Sequence, residues 1–278
     1  MHPQLVRDKD LVKFTRKFLI LIGLTLLSHL IDLAPIAYTL SVIAQLSIFG
    51  FHFISFKEFR SAFLNLVLSG LALCLLGELV LLVDPPSKKY STSFWVFIGI
   101  HFVRNLIFTI AFTWNIVKSI FKNHIVYKII ISVVGAIIFL LLHFFHFDDD
   151  REHYNVFFFI FNVVVSLMVY TAGMRNSHTS PEAFLMMFIG SFLFMLSDVC
   201  FLENFEDTDN FTAALRTGLL MVASILVLSA AIHHVLYFKL KVQQIVMAGV
   251  TGKEMDMMKG RKPLKVESVN QTLEENLI

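Results

Sequence analysis

The stretch AFLNLVLSGLALCLLGELVLLV, residues 62–83, is 22 residues long and carries one charged side chain, Glu78. At ~1.5 Å of rise per residue a helix of that length reaches about 33 Å, enough to cross the ~30 Å hydrocarbon core of a bilayer. Its flanks are polar. Lys57-Glu58-Phe59-Arg60 precedes it, and Asp84-Pro85-Pro86-Ser87-Lys88-Lys89 follows as a double-proline turn that no helix crosses.

The same reading extends outward in both directions. Apolar runs of spanning length lie at 18–34 and 36–55 before this segment, and at 94–116, 125–145, 155–173, 182–201 and 213–238 after it. Pro35 separates the first two runs, and Asp32 lies near the end of the first. The acidic run Asp148-Asp149-Asp150 and a second acidic loop at 203–210 mark later breaks. The fold class expected is an all-α polytopic integral membrane protein, an eight-transmembrane-helix bundle. Residues 1–17 form an N-terminal tail, 18–240 the membrane domain and 241–278 a flexible, polar C-terminal tail.

Composition agrees. The chain has 278 residues, is 56% hydrophobic with 30 Phe, and has a mean hydropathy of +0.73. Only 16% of its residues are charged, against about 25% in a soluble domain. A net charge of +2 gives no basis for nucleic-acid binding. Cys74 and Cys200 both stand in apolar runs, so no disulfide framework is expected. Residues 1–17 are polar and basic, and no small-residue cleavage site follows the first run, so a cleaved signal peptide is not expected.

Basic residues set the orientation, because they are retained on the cytoplasmic side. With the N-terminus inside, the inner segments hold five, two, three, one and seven Lys or Arg, eighteen in all. The outer segments hold four, and Arg104 lies within the fourth span. That bias requires an even number of spans, with both termini cytosolic.

Ionisable groups inside spans are costly and tend to face a polar interior. Those furthest from a helix end are Glu78, Arg104 and Asp198. Glu78 lies five residues before Val83 and Asp198 three before Phe201, so both sit within about 5–8 Å of the outer ends of their spans. Two arrangements follow. One is a structural ion pair between one carboxylate and Arg104, with the other carboxylate at a wet helix end. The other is a buried acid pair lining one cavity open toward the outer leaflet, where one carboxyl holds a proton and the other stays ionised.

No metal or other cofactor is expected. His143 and His146 lie at the outer end of their span, and His233 and His234 in the inner half of theirs, so the two groups cannot share an ion. His29 and His101 stand isolated. Ser197, next to Asp198, has no Gly-x-Ser-x-Gly elbow around it. Asn210-Phe211-Thr212 is a glycosylation sequon that abuts the eighth span.

Four segments carry a resemblance to a known family. GSFLFMLSD (190–198) resembles the Gly-to-Phe-x-x-Ser-Asp signature of the YhhN-like family, whose animal members include the lysoplasmalogenases. LLGELVL (75–81) resembles its Gly-Asp segment with Glu78 in place of Asp. GIHFVRNLIFTIAF (99–112) resembles its fourth-span pattern, and YTAGM (170–174) a sixth-span one. Asn105 and Phe108 stand where the family has His and Tyr, and Ser229-Ala230-Ala231 stands where it has an Ala-Gln pair. The resemblance covers roughly 60 to 240.

The resemblance implies hydrolysis of the vinyl ether bond of a lysoplasmalogen, a lysophospholipid, to a fatty aldehyde and a glycerophospho-headgroup. Asp198 and Glu78 would be the catalytic carboxyls, one acting as acid and one stabilising the cation. Arg104, Asn105, Ser197 and Arg216 would line the substrate site, with Arg104 or Arg216 on the phosphate. In a eukaryotic cell the expected location is the endoplasmic reticulum. The Asn105 and Phe108 replacements favour a non-catalytic lipid-binding or regulatory membrane protein. A small-solute transporter is a third reading, but no internal repeat and no proline inside a span support it.

The charge bias generates a topological prediction. In sealed vesicles with the cytosolic face outward, tags before Met1 and after Ile278 are both digested by added protease. Protection of the second with digestion of the first refutes the even span count.

Overall fold

The computed structural model describes residues 3–55, 61–84, 91–113, 125–146, 152–177, 179–203 and 210–258. Side chains are described for 10–54, 61–84, 91–113, 125–142, 156–176, 179–202 and 210–237. Residues 1–2, 56–60, 85–90, 114–124, 147–151, 178, 204–209 and 259–278 lie outside the described residues, as do the side chains of His143 and His146.

Eight long helices and no strand are found among the described residues: α1 (Pro3–Leu30), α2 (Ala34–Ser55), α3 (Ala62–Val83), α4 (Thr92–Thr113), α5 (Ile125–His146), α6 (Glu152–Met174), α7 (Pro181–Glu203) and α8 (Asn210–Met258). A single 3₁₀ turn, Arg175–Ser177, follows α6. Seven helices are long and apolar enough to cross a membrane. The exception is α1, where Lys13, Arg16 and Lys17 leave an uncharged stretch from Phe18 to Leu30, about 20 Å long. It is nonetheless part of the bundle, with Phe18, Ile22 and His29 buried and its length packed against α2 and α8.

Serines start three of these helices. Ser61, Ser91 and Ser180 accept hydrogen bonds from the backbone N–H groups of Leu64, Phe94 and Ala183, at 3.1, 3.3 and 3.2 Å, which satisfies donors that a helix leaves orphaned. The break between α1 and α2 differs from expectation. Asp32, not Pro35, makes it: its φ of 61° is left-handed, and Asp32 and Leu33 donate backbone N–H to His29 and Ser28. This is a Schellman-type end with Asp where glycine is usual. Pro35 lies in the first turn of α2, where a missing N–H costs nothing. A second difference is α8. It continues to Met258, so residues 241–258 are helical where an unstructured tail was expected.

Consecutive helices pack side by side, but α4 packs directly on α6, and α5 packs chiefly on α6. The helices α1, α2, α3, α4, α6, α7 and α8 therefore form a ring closed by α8 on α1, with α8 also against α2 and α3. Helix α5 rides outside, tied to α6 by the Tyr127 hydroxyl, which donates to the Gly173 carbonyl at 2.5 Å. Most of its exposed side chains are apolar, among them Ile129, Val133, Ile137 and Leu140, as a lipid-facing surface requires.

Arg175 gathers one end of the ring. Its Nη1 donates to the last-turn carbonyls of α4, Ala111 and Phe112, at 3.3 and 3.1 Å. Its Nη2 meets His234 of α8 at 3.1 Å, and its guanidinium lies 4.5 Å from the Phe63 ring of α3. A cation at a helix C-terminus is favourable in itself. The start of α3 thus meets the ends of α4 and α6, so the helices alternate in direction.

Tight packing of α7 on α8 depends on Gly190. A Cβ there would lie 2.7 Å from Val227 Cγ2 and 3.3 Å from the Ala223 carbonyl oxygen. Gly99 of α4 has nothing within 4 Å of the same position. Gly190→Ala is expected to destabilise by about 1–3 kcal/mol through overpacking. Gly99→Ala is expected to be neutral or to stabilise by up to ~1 kcal/mol through helix propensity. Thermal unfolding of the detergent-solubilised variants checks the contrast; equal midpoints refute it.

Candidate functional site: a buried chamber of paired charges

At the end of the ring opposite Arg175, six helices contribute polar side chains to one buried cluster. Glu78 comes from near the end of α3, Asp198 from near the end of α7, and His29 from the end of α1. Arg216 and Thr217 come from near the start of α8, Tyr38 and Ser41 from the start of α2, and His101, Arg104 and Asn105 from α4. Glu78, Arg104, Asn105 and Thr217 are fully buried; His101, Arg216 and Asp198 are 2–3% exposed.

Two ion pairs organise it. The Asp198 carboxylate accepts from Arg104 Nη2 at 2.6 Å and from Asn105 Nδ2 at 2.9 Å on Oδ2, while its Oδ1 lies 2.8 Å from His101 Nδ1. Asn105 in turn accepts from Arg104 Nε and Nη2 at 3.1 and 2.8 Å, and Arg104 rests 4.8 Å from the Phe194 ring. The Glu78 carboxylate accepts from Arg216 Nη1 at 2.7 Å. Arg216 Nη2 donates to Thr217 Oγ1 at 2.8 Å, and that hydroxyl meets His29 Nε2 at 3.2 Å.

An aromatic pair joins the two halves. Phe97 stacks on Phe201 with centroids 3.8 Å apart and on the His101 ring at 3.9 Å. The Arg216 guanidinium carbon lies 5.7 Å from the Phe97 centroid and 6.0 Å from that of Phe201, within range of a cation–π attraction. Gly77 lets α3 approach closely: a Cβ there would stand 2.9 Å from His101 Nε2 and 3.3 Å from Phe97 Cε2.

Several expectations are corrected by this geometry. Glu78 and Asp198 do not form a carboxyl pair with each other; each has its own arginine. The physical reason is Arg216, which reaches from α8 to take the charge of Glu78. The Asp198–Arg104 pair follows the structural arrangement, but Glu78 lies buried rather than at a wet helix end. The cavity open to the outer leaflet is closed around these groups. Arg216, counted among the outer positive charges, lies inside the bundle. His101 and His29 are not isolated, since they bond Asp198 and Thr217.

The remaining site residues fall into place. Arg104 and Arg216 direct their donors to carboxylates and neighbouring polar groups. Ser197 donates its hydroxyl to the Arg216 carbonyl at 3.0 Å, tying α7 to α8. A groove of about 320 Å³ between α5 and α6, lined by residues such as Gly135, Phe139 and Tyr170, faces outward and is separate from the chamber. The signal for His101 was present: His101, Arg104, Asn105 and Phe108 fall at i, i+3, i+4 and i+7, one face of α4.

Two polar atoms at the centre have no hydrogen-bond partner, Glu78 Oε2 and His101 Nε2. Ser41 lies beside Glu78, but its hydroxyl completes no bond of good geometry. His101 Nδ1 meets two groups of opposite kind, Asp198 Oδ1 at 2.8 Å, which accepts, and Arg104 Nη1 at 2.9 Å, which donates. Nε2 is the ring nitrogen left without a partner.

A polytopic helical membrane protein with a chamber of paired charges is thereby defined. The chain belongs to the YhhN family, whose model matches residues 37–227, more than half its length. The match contains α3, α4 and α7 and the first part of α8, the helices that hold both ion pairs. No curated protein and no solved structure matches the chain.

Because Glu78 is the only acidic hydrogen-bond partner of Arg216 among the described residues, Glu78→Gln leaves a buried charge unanswered. The expected cost is about 3–5 kcal/mol. Adding Arg216→Met removes the orphan charge and recovers most of that loss. Thermal unfolding of the single and double variants in detergent tests this, and an additive double variant refutes the pairing.

Proposed function

We propose that this protein is a lysoplasmalogenase-like hydrolase that cleaves the vinyl ether bond of lysoplasmalogens. The observation that carries the reading is the pair of buried carboxylates, Asp198 and Glu78, in one polar cluster beside the Phe97–Phe201 stack, in the half of the bundle away from the N-terminus. Membership of a membrane family that includes the lysoplasmalogenases supports it.

The chemistry suits such a chamber. Protonation of the outer vinyl carbon makes an oxocarbenium ion at the carbon next to the ether oxygen, and water attacks that carbon. Fixed negative charge in a water-poor site stabilises the developing cation without solvent reorganisation, much as paired carboxylates do in glycoside hydrolysis. Asp198 and Glu78 supply that charge, each held in place by its own arginine, Arg104 and Arg216. A closed chamber also keeps bulk water from the intermediate. Turnover requires the cover of Phe97 and Phe201 to part and admit the lipid from the outer leaflet of an endoplasmic reticulum membrane, both termini being cytosolic.

One observation favours a non-catalytic lipid-binding protein instead. Each carboxylate already has an arginine, as in a purely structural network.

The purified protein, assayed by mass spectrometry against vinyl ether, alkyl ether and ester lysolipids, is expected to release aldehyde from the first alone. Asp198→Asn, confirmed to be folded, is expected to lower the rate by about 10²-fold or more, whereas Glu78→Asp, which keeps the carboxyl, is milder. No aldehyde from the wild type refutes the hydrolase reading. Wild-type turnover in folded Asp198→Asn assigns the chemistry to other groups.

A further inference from the structure

We propose that His101 is the proton-transfer group of this chamber, working through Nε2, with Asp198 as the residue that orients its ring and balances its charge. The inference rests on the vinyl ether hydrolase reading above. Three observations lead to it.

The first is that His101 Nε2 is a buried polar atom with no partner, on a ring that is 2% exposed. Such an atom is rare in a folded protein and calls for an explanation. The second is that the opposite nitrogen is anchored: Nδ1 lies 2.8 Å from Asp198 Oδ1 and 2.9 Å from Arg104 Nη1, and the ring stacks on Phe97. Partners on one imidazole nitrogen fix the ring's orientation and leave the other nitrogen to act. The third is that residue 77, the part of α3 set against Nε2, is glycine: a Cβ there would stand 2.9 Å from this nitrogen, so a side chain at this position would block it. The next residue, Glu78, also has an unpartnered atom, Oε2.

By contrast, neither carboxylate is arranged to deliver a proton. Asp198 has both oxygens occupied by nitrogen partners, and Glu78 is held by Arg216. The charged groups that bear on His101 are Arg104 on its own helix, Asp198 from α7, Arg216 from α8 and Glu78 from α3, two of each sign.

The step balances as follows. From the imidazolium, the Nε2–H bond breaks and a C–H bond forms at the outer vinyl carbon, using the π pair. The ether oxygen's lone pair leaves the adjacent carbon as an oxocarbenium ion, and His101 becomes neutral. Water adds to that carbon and its proton passes to Nε2, which restores the imidazolium. The resulting hemiacetal loses its C–O bond as its hydroxyl proton moves to the departing glycerol oxygen. One water is consumed, one aldehyde and one glycerophospho-alcohol leave, and both carboxylates stay ionised facing the cation.

The test uses the full-length protein in detergent with a vinyl ether lysolipid. His101→Gln, which can still hydrogen-bond Asp198, is expected to lower kcat by about 10²- to 10⁴-fold, the usual worth of general acid–base catalysis. Added imidazole is expected to restore His101→Ala by roughly tenfold or more and to leave Asp198→Asn unchanged, a readout that a structural histidine would not move. A folded His101→Gln enzyme within about twofold of wild type overturns the inference. If the variants do not fold, the wild-type pH–rate profile decides: its limb must shift with temperature as an imidazole does, and the near-invariance of a carboxyl overturns it. A wild type silent toward vinyl ethers overturns the hydrolase reading and this one together, whereas an active wild type with an active His101→Gln variant overturns this one alone.

Discussion

Glu78, Arg104, Asp198 and Arg216 are four charged side chains in a part of the bundle whose outer surface is apolar, and each lies 2.6–2.7 Å from an opposite charge. Moving one ion from water into such a place costs several kcal/mol even after relaxation. The chain therefore has no freedom to place these residues singly. Each carboxylate must find a guanidinium on another helix, so α3 is bound to α8 and α4 to α7. Further polar groups fill in the rest: Asn105 donates to Asp198, His101 meets the other Asp198 oxygen, and Thr217 accepts from Arg216.

That constraint explains the local choices around it. Gly77 allows α3 to come against His101 and Phe97, and Gly190 allows α7 to lie on α8. Ser197 ties the backbone of α8 to α7 one residue before Asp198. The Phe97 and Phe201 rings exclude water while offering π faces to Arg216. At the far end of the ring Arg175 is handled differently: helix-terminal carbonyls, His234 and an aromatic face surround its charge. The end with the ion pairs carries the unpartnered polar atoms Glu78 Oε2 and His101 Nε2, and it is the end where chemistry on a lipid is proposed.

Much of this was legible along the chain. Segments such as 62–83 are apolar for long enough that only a membrane helix can satisfy their backbone, and α3 begins and ends where the apolar run does. Glu78, Arg104 and Asp198 stand out because charge is rare there. Where the reading failed, it failed for residues whose meaning depends on another helix. Arg216 looks like a mouth-of-span charge until Glu78 is found beside it, and His101 looks like packing until Asp198 is.

Hydrophobic length and charge along the sequence thus determined by themselves that the chain is a bundle of membrane helices, and that Glu78, Arg104 and Asp198 lie inside it. Both are properties of single segments in contact with lipid. The tertiary structure alone decided which carboxylate meets which arginine, that α5 rides outside the ring, and that His101 faces Asp198. Pairings between helices depend on azimuth and depth across contacts as distant as the 138 residues between Glu78 and Arg216, and no local pattern encodes them.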